Sequence, residues 1–229
     1  MKPRDQRLVN NEGQGSANTV QLLRADDGEQ YVFKPSDGEE LGLRNDIPWR
    51  RGEYAKREVA AYRVDHLLGF GLVPPTTFAA GPQGIGEGSI QKFVHSSPGD
   101  LPHKYPEAQQ VRLAVLDHII GNTDRKHEGN WRTVEDTLSS SEERKRLLAI
   151  DHGLAFHEEM PCDSYGDFHQ LHAGKPIPED VMDSLRALDQ TRLRTALRKA
   201  ELSVEAIELT VYRLNQLLDL GQIPHPEIS

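Results

Sequence analysis

Short apolar runs bounded by turn residues fill much of the chain up to SSPGDLPHKYP, residues 96–106, and helical periodicity dominates after it. A chain whose hydrophobic rhythm changes once, at a stretch rich in Pro, Gly and Ser, has few ways to bury its apolar faces in one molecule. The order read from it is ββ-α-ββ, then a helix, a polar turn, a strand and further helices. In the first half, the runs 20–23 and 31–33 flank Asp26-Asp27-Gly28, a hairpin signal. From Glu53 to Leu68 the pattern turns helical, with Ala55, Val59 and Tyr62 on one face and Gly69 as the stop. FGLVPPTTFAA and GSIQKFVH read as two more strands, joined by GPQGIGEG. In the second half, helices are expected at 108–120, 179–188, 190–200 and 203–219, with a short strand in LLAIDHG after the polar insertion TLSSSEERKR. The expected division is a β-rich lobe at 1–95 and a helical lobe at 96–229.

Composition narrows the function. The 229 residues carry a net charge of −9, so nonspecific nucleic-acid binding is not expected, and any phosphate ligand needs a local cationic site. The single cysteine, Cys162, forms no internal disulfide, which fits a reducing cytoplasm. The N-terminus MKPRDQRLVN has no signal-peptide character and no run of eighteen apolar residues occurs, so neither export nor a membrane span is expected.

A sheet lobe followed by a helical lobe fits one physical demand, holding a nucleoside triphosphate in the cleft between them. Phosphates need backbone donors and a cation, a metal needs oxygen ligands, and an acceptor hydroxyl needs a carboxylate. GQGSANTV, residues 13–20, offers Gly13, Gly15, Ser16 and Asn18 as a phosphate-covering loop one residue away from the glycine-loop pattern of protein kinases; a polar hairpin start is the plain alternative. Lys34 lies in the apolar strand YVFKP, facing either solvent or a cleft. In a cleft it needs a carboxylate partner, for which Glu58 in mid-helix competes with Glu53 at the helix start.

The other two tasks fall to GNTDRKHEGNW, 121–131, and LLAIDHGLAF, 147–156. Asp124 stands in a turn after an apolar helix, with Arg125 beside it to neutralise or anchor. Asn130 and Asp151 supply hard oxygen donors of the kind magnesium or manganese takes. Asp151 could also simply cap a turn.

REVAAYRVDHLLGFGLVPPTTF, GSIQKFV, IIGNTDRKHEGNW and AIDHGLAF resemble the kinase superfamily that includes phosphatidylinositol 3- and 4-kinases and bacterial HipA-type kinases, in particular a set of short bacterial proteins grouped with the lipid kinases. The resemblance implies an α+β, two-lobed protein-kinase-like fold and an ATP-dependent kinase acting on a hydroxyl. It implies Lys34 on the phosphates with Glu58 as its partner, and Asp124 as the catalytic base assisted by Arg125. Asn130 and Asp151 become metal ligands, and the stretch 91–94, with Gln91, Phe93 and Val94, becomes the hinge beside the adenine. One departure stands out. The family places its metal-binding Asn five residues after the catalytic Asp, whereas Asn130 is six after Asp124, and Gly129 holds the fifth place. Either the turn carries one extra residue or another group, such as His127, approaches the metal.

Three other readings compete. Binding without catalysis would make the chain a pseudokinase or regulator. A cluster of His118, His127, His152 and His157 with aspartates would suit a metal-dependent phosphohydrolase. The basic run WRRGEYAKR, 49–57, would face lipid headgroups in a membrane-surface lipid kinase, although Glu53 interrupts it and the chain is acidic.

Overall fold

The computed structural model describes residues 6–7, 19–125, 128–135, 145–159 and 166–225. Five antiparallel strands, β1 (Gln6–Arg7), β2 (Gln21–Arg24), β3 (Gln30–Pro35), β4 (Thr76–Ala80) and β5 (Glu87–Lys92), form one sheet in the order β1-β2-β3-β5-β4. The β2–β3 hairpin turns on Gly28, as the Asp-Gly pair predicts, with the Asp27 carboxylate accepting from the Glu29 amide at 3.0 Å. Strands β3 and β5 approach closely at Gly88, where a Cβ would collide with the Lys34 carbonyl. Glycine there fixes the height at which Lys34 leaves the sheet.

Helix α1 (Glu53–Leu68) packs against this sheet. Its own sequence supplies no capping side chain, so the preceding loop does so: the buried Glu39 carboxylate accepts from the amides of Gly52 at 2.8 Å and Ala55 at 2.9 Å. At the far end the Asp65 carboxylate accepts from the amides of Leu72 and Val73, turning the chain back toward β4.

The second half is built on α2 (Glu107–Ile120), buried along most of its length and packed against α3 (Asp167–His172) and α6 (Val204–Leu220). Leu113, Leu116, Ile119, Trp131, Phe156, Phe168 and Leu214 form its centre. Helices α4 (Glu179–Ala187) and α5 (Gln190–Lys199) complete the helical part. A second antiparallel sheet of β6 (Ser97–Pro98), β7 (Trp131–Glu135) and β8 (Lys145–Ala149) lies over α2. The stretch 96–106 is therefore more than a connector, because β6 pairs with β7. Strand β7 and the short α3 have no counterpart in the expected element order.

Several histidines are sealed in this core. The rings of His118 and His169 stack with centroids 5.6 Å apart. Burial lowers His118 to about 3, and His157 and His169 to about 4, whereas burial raises Asp65 to about 6. On acidification from pH 6.5 the unfolded chain takes up the histidine protons before the folded one does, so stability is lost. Asp65 acts oppositely, protonating first in the folded chain and returning part of that loss between pH 6 and 4. With about two more protons on the unfolded chain near pH 5 from these four groups, stability should fall by about 3 kcal/mol per pH unit there. Urea denaturation at pH 7, 6 and 5 measures this, and an unchanged midpoint would contradict it.

Candidate active site

Three elements bring charge to the cleft between the sheet and the helices. Alternation along β3 buries Phe33 and turns Lys34 the other way. There its ammonium pairs with Glu58 of α1 and reaches Asp151 Oδ1 at 3.1 Å, in the segment after β8. Glu58 is buried while about half of the Asp151 side chain is exposed, so the pair forms the floor of the site and Asp151 its open edge. Burial opposes charge on Lys34, but the Asp151 and Glu58 carboxylates outweigh it and raise the ammonium above its ordinary value. Burial likewise opposes charge on Glu58, and Lys34 with His152 holds that carboxyl well below its usual range. An ammonium carries three N–H donors, so two are committed and a third can meet a ligand.

Glu53, the competing partner for Lys34, is occupied elsewhere. It meets Arg57 at 2.7 Å, Lys56 at 3.0 Å and Arg50 at 3.5 Å, and with Asp37 on Arg51 and Glu158 on Arg57 three carboxylates stand against the four cations of the basic run 49–57.

The turn after α2 begins at Gly121, with φ of 60°, where a Cβ would lie 2.7 Å from His157 and 2.9 Å from Arg213. Asn122 is fully buried and joins helix to turn: its Nδ2 donates to Asp117 at 3.0 Å and its Oδ1 accepts from the Asp124 amide at 3.1 Å. Asp124 itself is half-buried. Asn130 Nδ2 donates to the Asp124 carboxylate at 2.9 Å and to its carbonyl at 2.6 Å, which leaves the amide oxygen as the donor it can offer a cation. Within this spacing, Glu128–Asn130 form a 3₁₀ turn.

Of the two roles open to Arg125, neutralising or anchoring, its contacts fit the second. It does not stand among the reacting groups: it is fully buried, paired with Asp117 at 3.1 Å. Its guanidinium also donates to the carbonyls of Asn130 and, at 2.7 Å, Ile150. One side chain thus ties the Asp124 turn to the strand end carrying Asp151, and Ile150 N donates to the Asn130 carbonyl at 3.1 Å across the same seam. Arg125 is a positioning residue. Asp151 has a left-handed φ of 58°, a conformation that Asp tolerates better than most residues.

The proposed hinge is also corrected in part. Phe93 donates its N–H to the Gln30 carbonyl at 2.9 Å, and Gln91 sits within β5, paired with Val32 and Thr76, its side-chain amide bonded to Thr76 at 2.9 Å. Neither offers a backbone donor to a base, which leaves Val94 and His95. Gly13, Gly15, Ser16, Asn18, His127 and Cys162 lie outside the described residues.

A loop crosses between the lobes beside this turn. Arg44 pairs with Asp46 at 2.6 Å and donates to the Thr123 hydroxyl, next to Asp124, and Glu158 N donates to the Asp46 carbonyl at 3.1 Å. Sequence reasoning missed Asp117, Asn122 and Arg44. Asp117 carried a signal, a carboxylate inside the apolar run LAVLDHII, since charge in such a run is rarely buried without a partner. Among the described residues no three His, Cys, Asp or Glu side chains come together as a metal site, and His118, His152 and His157 are separately buried.

No family model matches the chain. It is 30% identical over 213 residues to phosphatidylinositol 4-kinase gamma 4 of Oryza sativa subsp. japonica, covering 80% of this chain and 36% of that protein. It is also 30% identical over 246 residues to phosphatidylinositol 4-kinase gamma 2 of Arabidopsis thaliana, covering 87% and 44%. The chain thus spans less than half the length of these plant relatives. Among solved structures, the Golgi casein kinase with Mn and ADP bound superimposes with a TM-score of 0.59 at 16% identity, over 94% of this chain and 76% of that one. The Helicobacter pylori proinflammatory kinase CtkA gives 0.57 at 14% identity, over 96% and 93%. The chain has a two-lobed kinase fold. Within that fold, Lys34 of β3 joins α1 to the segment at Asp151, Arg125 ties the Asp124 turn to Ile150, and among the described residues no helix is long and apolar enough to cross a membrane.

Proposed function

We propose that this kinase-fold protein is an ATP-dependent phosphotransferase that moves the γ-phosphoryl group to a hydroxyl of a protein, peptide or small molecule. The observation that carries the reading is the Lys34 ammonium held between Glu58 of one lobe and Asp151 of the other. Such an arrangement costs desolvation and yields a cation already aimed, which suits catalysis by positioning and electrostatics. The lobes are taken as 1–95 and 96–229, with the nucleotide between them.

The donor set fits a divalent cation: the Asp151 carboxylate is open to solvent on a hard-oxygen edge, and Asn130 presents its amide oxygen because its nitrogen is bound to Asp124. A magnesium or manganese ion there would offset charge on the triphosphate. Lys34 would contact phosphate oxygens with its third N–H, kept in place by Glu58. Asp124 would orient the acceptor hydroxyl and take its proton, while Asn122 and Asn130 hold Asp124 in register. Val94 and His95 would border the adenine.

The printed names of the plant relatives point to an inositol lipid acceptor. The carboxylates of Glu53, Asp37 and Glu158, set against the four cations of the run 49–57, favour a soluble hydroxyl instead.

The deciding experiment incubates the chain with magnesium and either γ- or α-labelled ATP, once with a cell lysate and once with phosphatidylinositol vesicles. Label should pass to product from the γ position only, and in the lysate arm. Label from the α position would replace phosphoryl transfer by adenylyl transfer, and bound nucleotide with no transfer at all would make the chain a pseudokinase. In the same protein, ATP at about a hundred times its dissociation constant should stabilise the fold by about 2.7 kcal/mol. Asp151→Ala should lose the magnesium-dependent part of that stabilisation, and a variant that keeps it would remove Asp151 from the metal site.

A further inference from the structure

Helices α1 and α5 face each other across a second concavity, of about 440 Å³, that none of the groups discussed above lines. Arg63, Arg192 and Lys199 border it, and no carboxylate lines it. Among the described residues none of these three cations meets a carboxylate at ion-pair distance. Of the acids near them in sequence, Asp65 accepts from the amides of Leu72 and Val73, Glu201 lines a different hollow, and Asp189 caps α5, accepting from the amides of Thr191 at 2.7 Å and Arg192 at 3.3 Å. In a chain with a net charge of −9, three cations without an ion pair around one hollow mark a place where negative charge is missing.

The remaining walls say what kind of negative charge fits. Thr191 and Thr195, one turn apart on α5, add hydroxyl donors beside two guanidinium groups and one ammonium, the mixture that recognises phosphate oxygens. On the opposite wall the rings of Tyr62 and His66 stack with centroids 5.7 Å apart and planes 30° apart, putting aromatic surface next to the cations. The volume lies in the range of small-molecule sites.

We infer that this groove binds a small phosphomonoester, its phosphate on Arg63, Arg192 and Lys199 and its organic body against the Tyr62–His66 ring pair. The site has a mechanical connection to the cleft. Arg63 donates to the Ala196 carbonyl at 2.8 Å, joining α1 to α5, and α1 is the helix that holds Glu58 against Lys34. A ligand bridging the two helices favours the position of α1 in which that pair is made, so it should tighten nucleotide binding. This second effect rests on the nucleotide site proposed above, whereas binding in the groove does not.

The test uses the full chain, isotopically labelled for NMR, titrated separately with phenyl phosphate, inorganic phosphate and phenol. Phenyl phosphate should give saturable shifts at amides 62–67 and 191–199, with a dissociation constant at least fivefold lower than that of inorganic phosphate. Phenol should give none. Arg192→Gln combined with Lys199→Gln changes two exposed side chains and should weaken phenyl phosphate binding at least tenfold. Shifts confined to the neighbourhood of Lys34 and Asp151, or unchanged affinity in the double variant, would overturn the site. Equal affinity for the two phosphates would overturn the organic body and leave an inorganic-phosphate site. Nucleotide affinity should rise at least fivefold when phenyl phosphate saturates the groove, and no change would remove the coupling. Groove shifts without any nucleotide binding would sink the kinase reading alone.

Discussion

Asp124→Ala should reduce phosphoryl transfer by about 10²- to 10⁴-fold, the usual contribution of a positioned proton acceptor, while ATP still stabilises the fold as it does the wild type. The two effects separate because Asp124 contacts neither Lys34 nor Glu58. Its carboxylate is held by Asn130 and its amide by Asn122, so the turn presents the side chain without using it to close the nucleotide cleft. Single-turnover transfer of γ-label, with a thermal-shift titration of the same samples, gives both numbers. Wild-type turnover in the variant would remove Asp124 from the chemistry, and loss of nucleotide binding alongside transfer would show that it acts through the structure of the turn.

Arg125→Met should destabilise the fold by about 3–5 kcal/mol, the cost of leaving one partner of a buried ion pair alone. Asp117 would keep its charge in the core of α2, and the carbonyls of Asn130 and Ile150 would lose a donor. Adding Asp117→Asn should recover part of the loss, since the amide keeps an oxygen for Asn122 and removes the stranded charge. Urea denaturation of the single and double variants measures this. A loss below about 1 kcal/mol for Arg125→Met would mean that the pair contributes little.

Much of the fold was legible in the sequence because local rules and tertiary demands agreed. The hairpin at Gly28, helix α1 up to Gly69 and the three C-terminal helices follow from turn chemistry and period alone. Strand β7 was hidden because WRTVE follows directly on a polar turn and has no turn signal of its own. Its pairing with β6 and β8 exists only once the chain has folded back. The site was legible where a residue type was out of place, as with Lys34 in an apolar strand and Asp151 after an apolar run. It was illegible where the reason for a residue lies in a distant partner. Arg125 read as a neighbour of Asp124, yet its contacts run inward to Asp117 and across to Ile150. Arg44 lay in a polar loop with nothing to distinguish it until that loop was seen to meet Thr123.

The crossing at Arg44 bears on how such a molecule breathes. In a pair of lobes linked by a single hinge, each swings freely about it. Here further fastenings span the gap, among them Arg44 to Thr123 and Asp46 to Glu158. Widening the cleft requires these latches to release together with Lys34–Asp151 and Arg63–Ala196, so escape of the nucleotide proposed above would be a concerted unbuckling, paced in part by a loop that takes no part in bond-making.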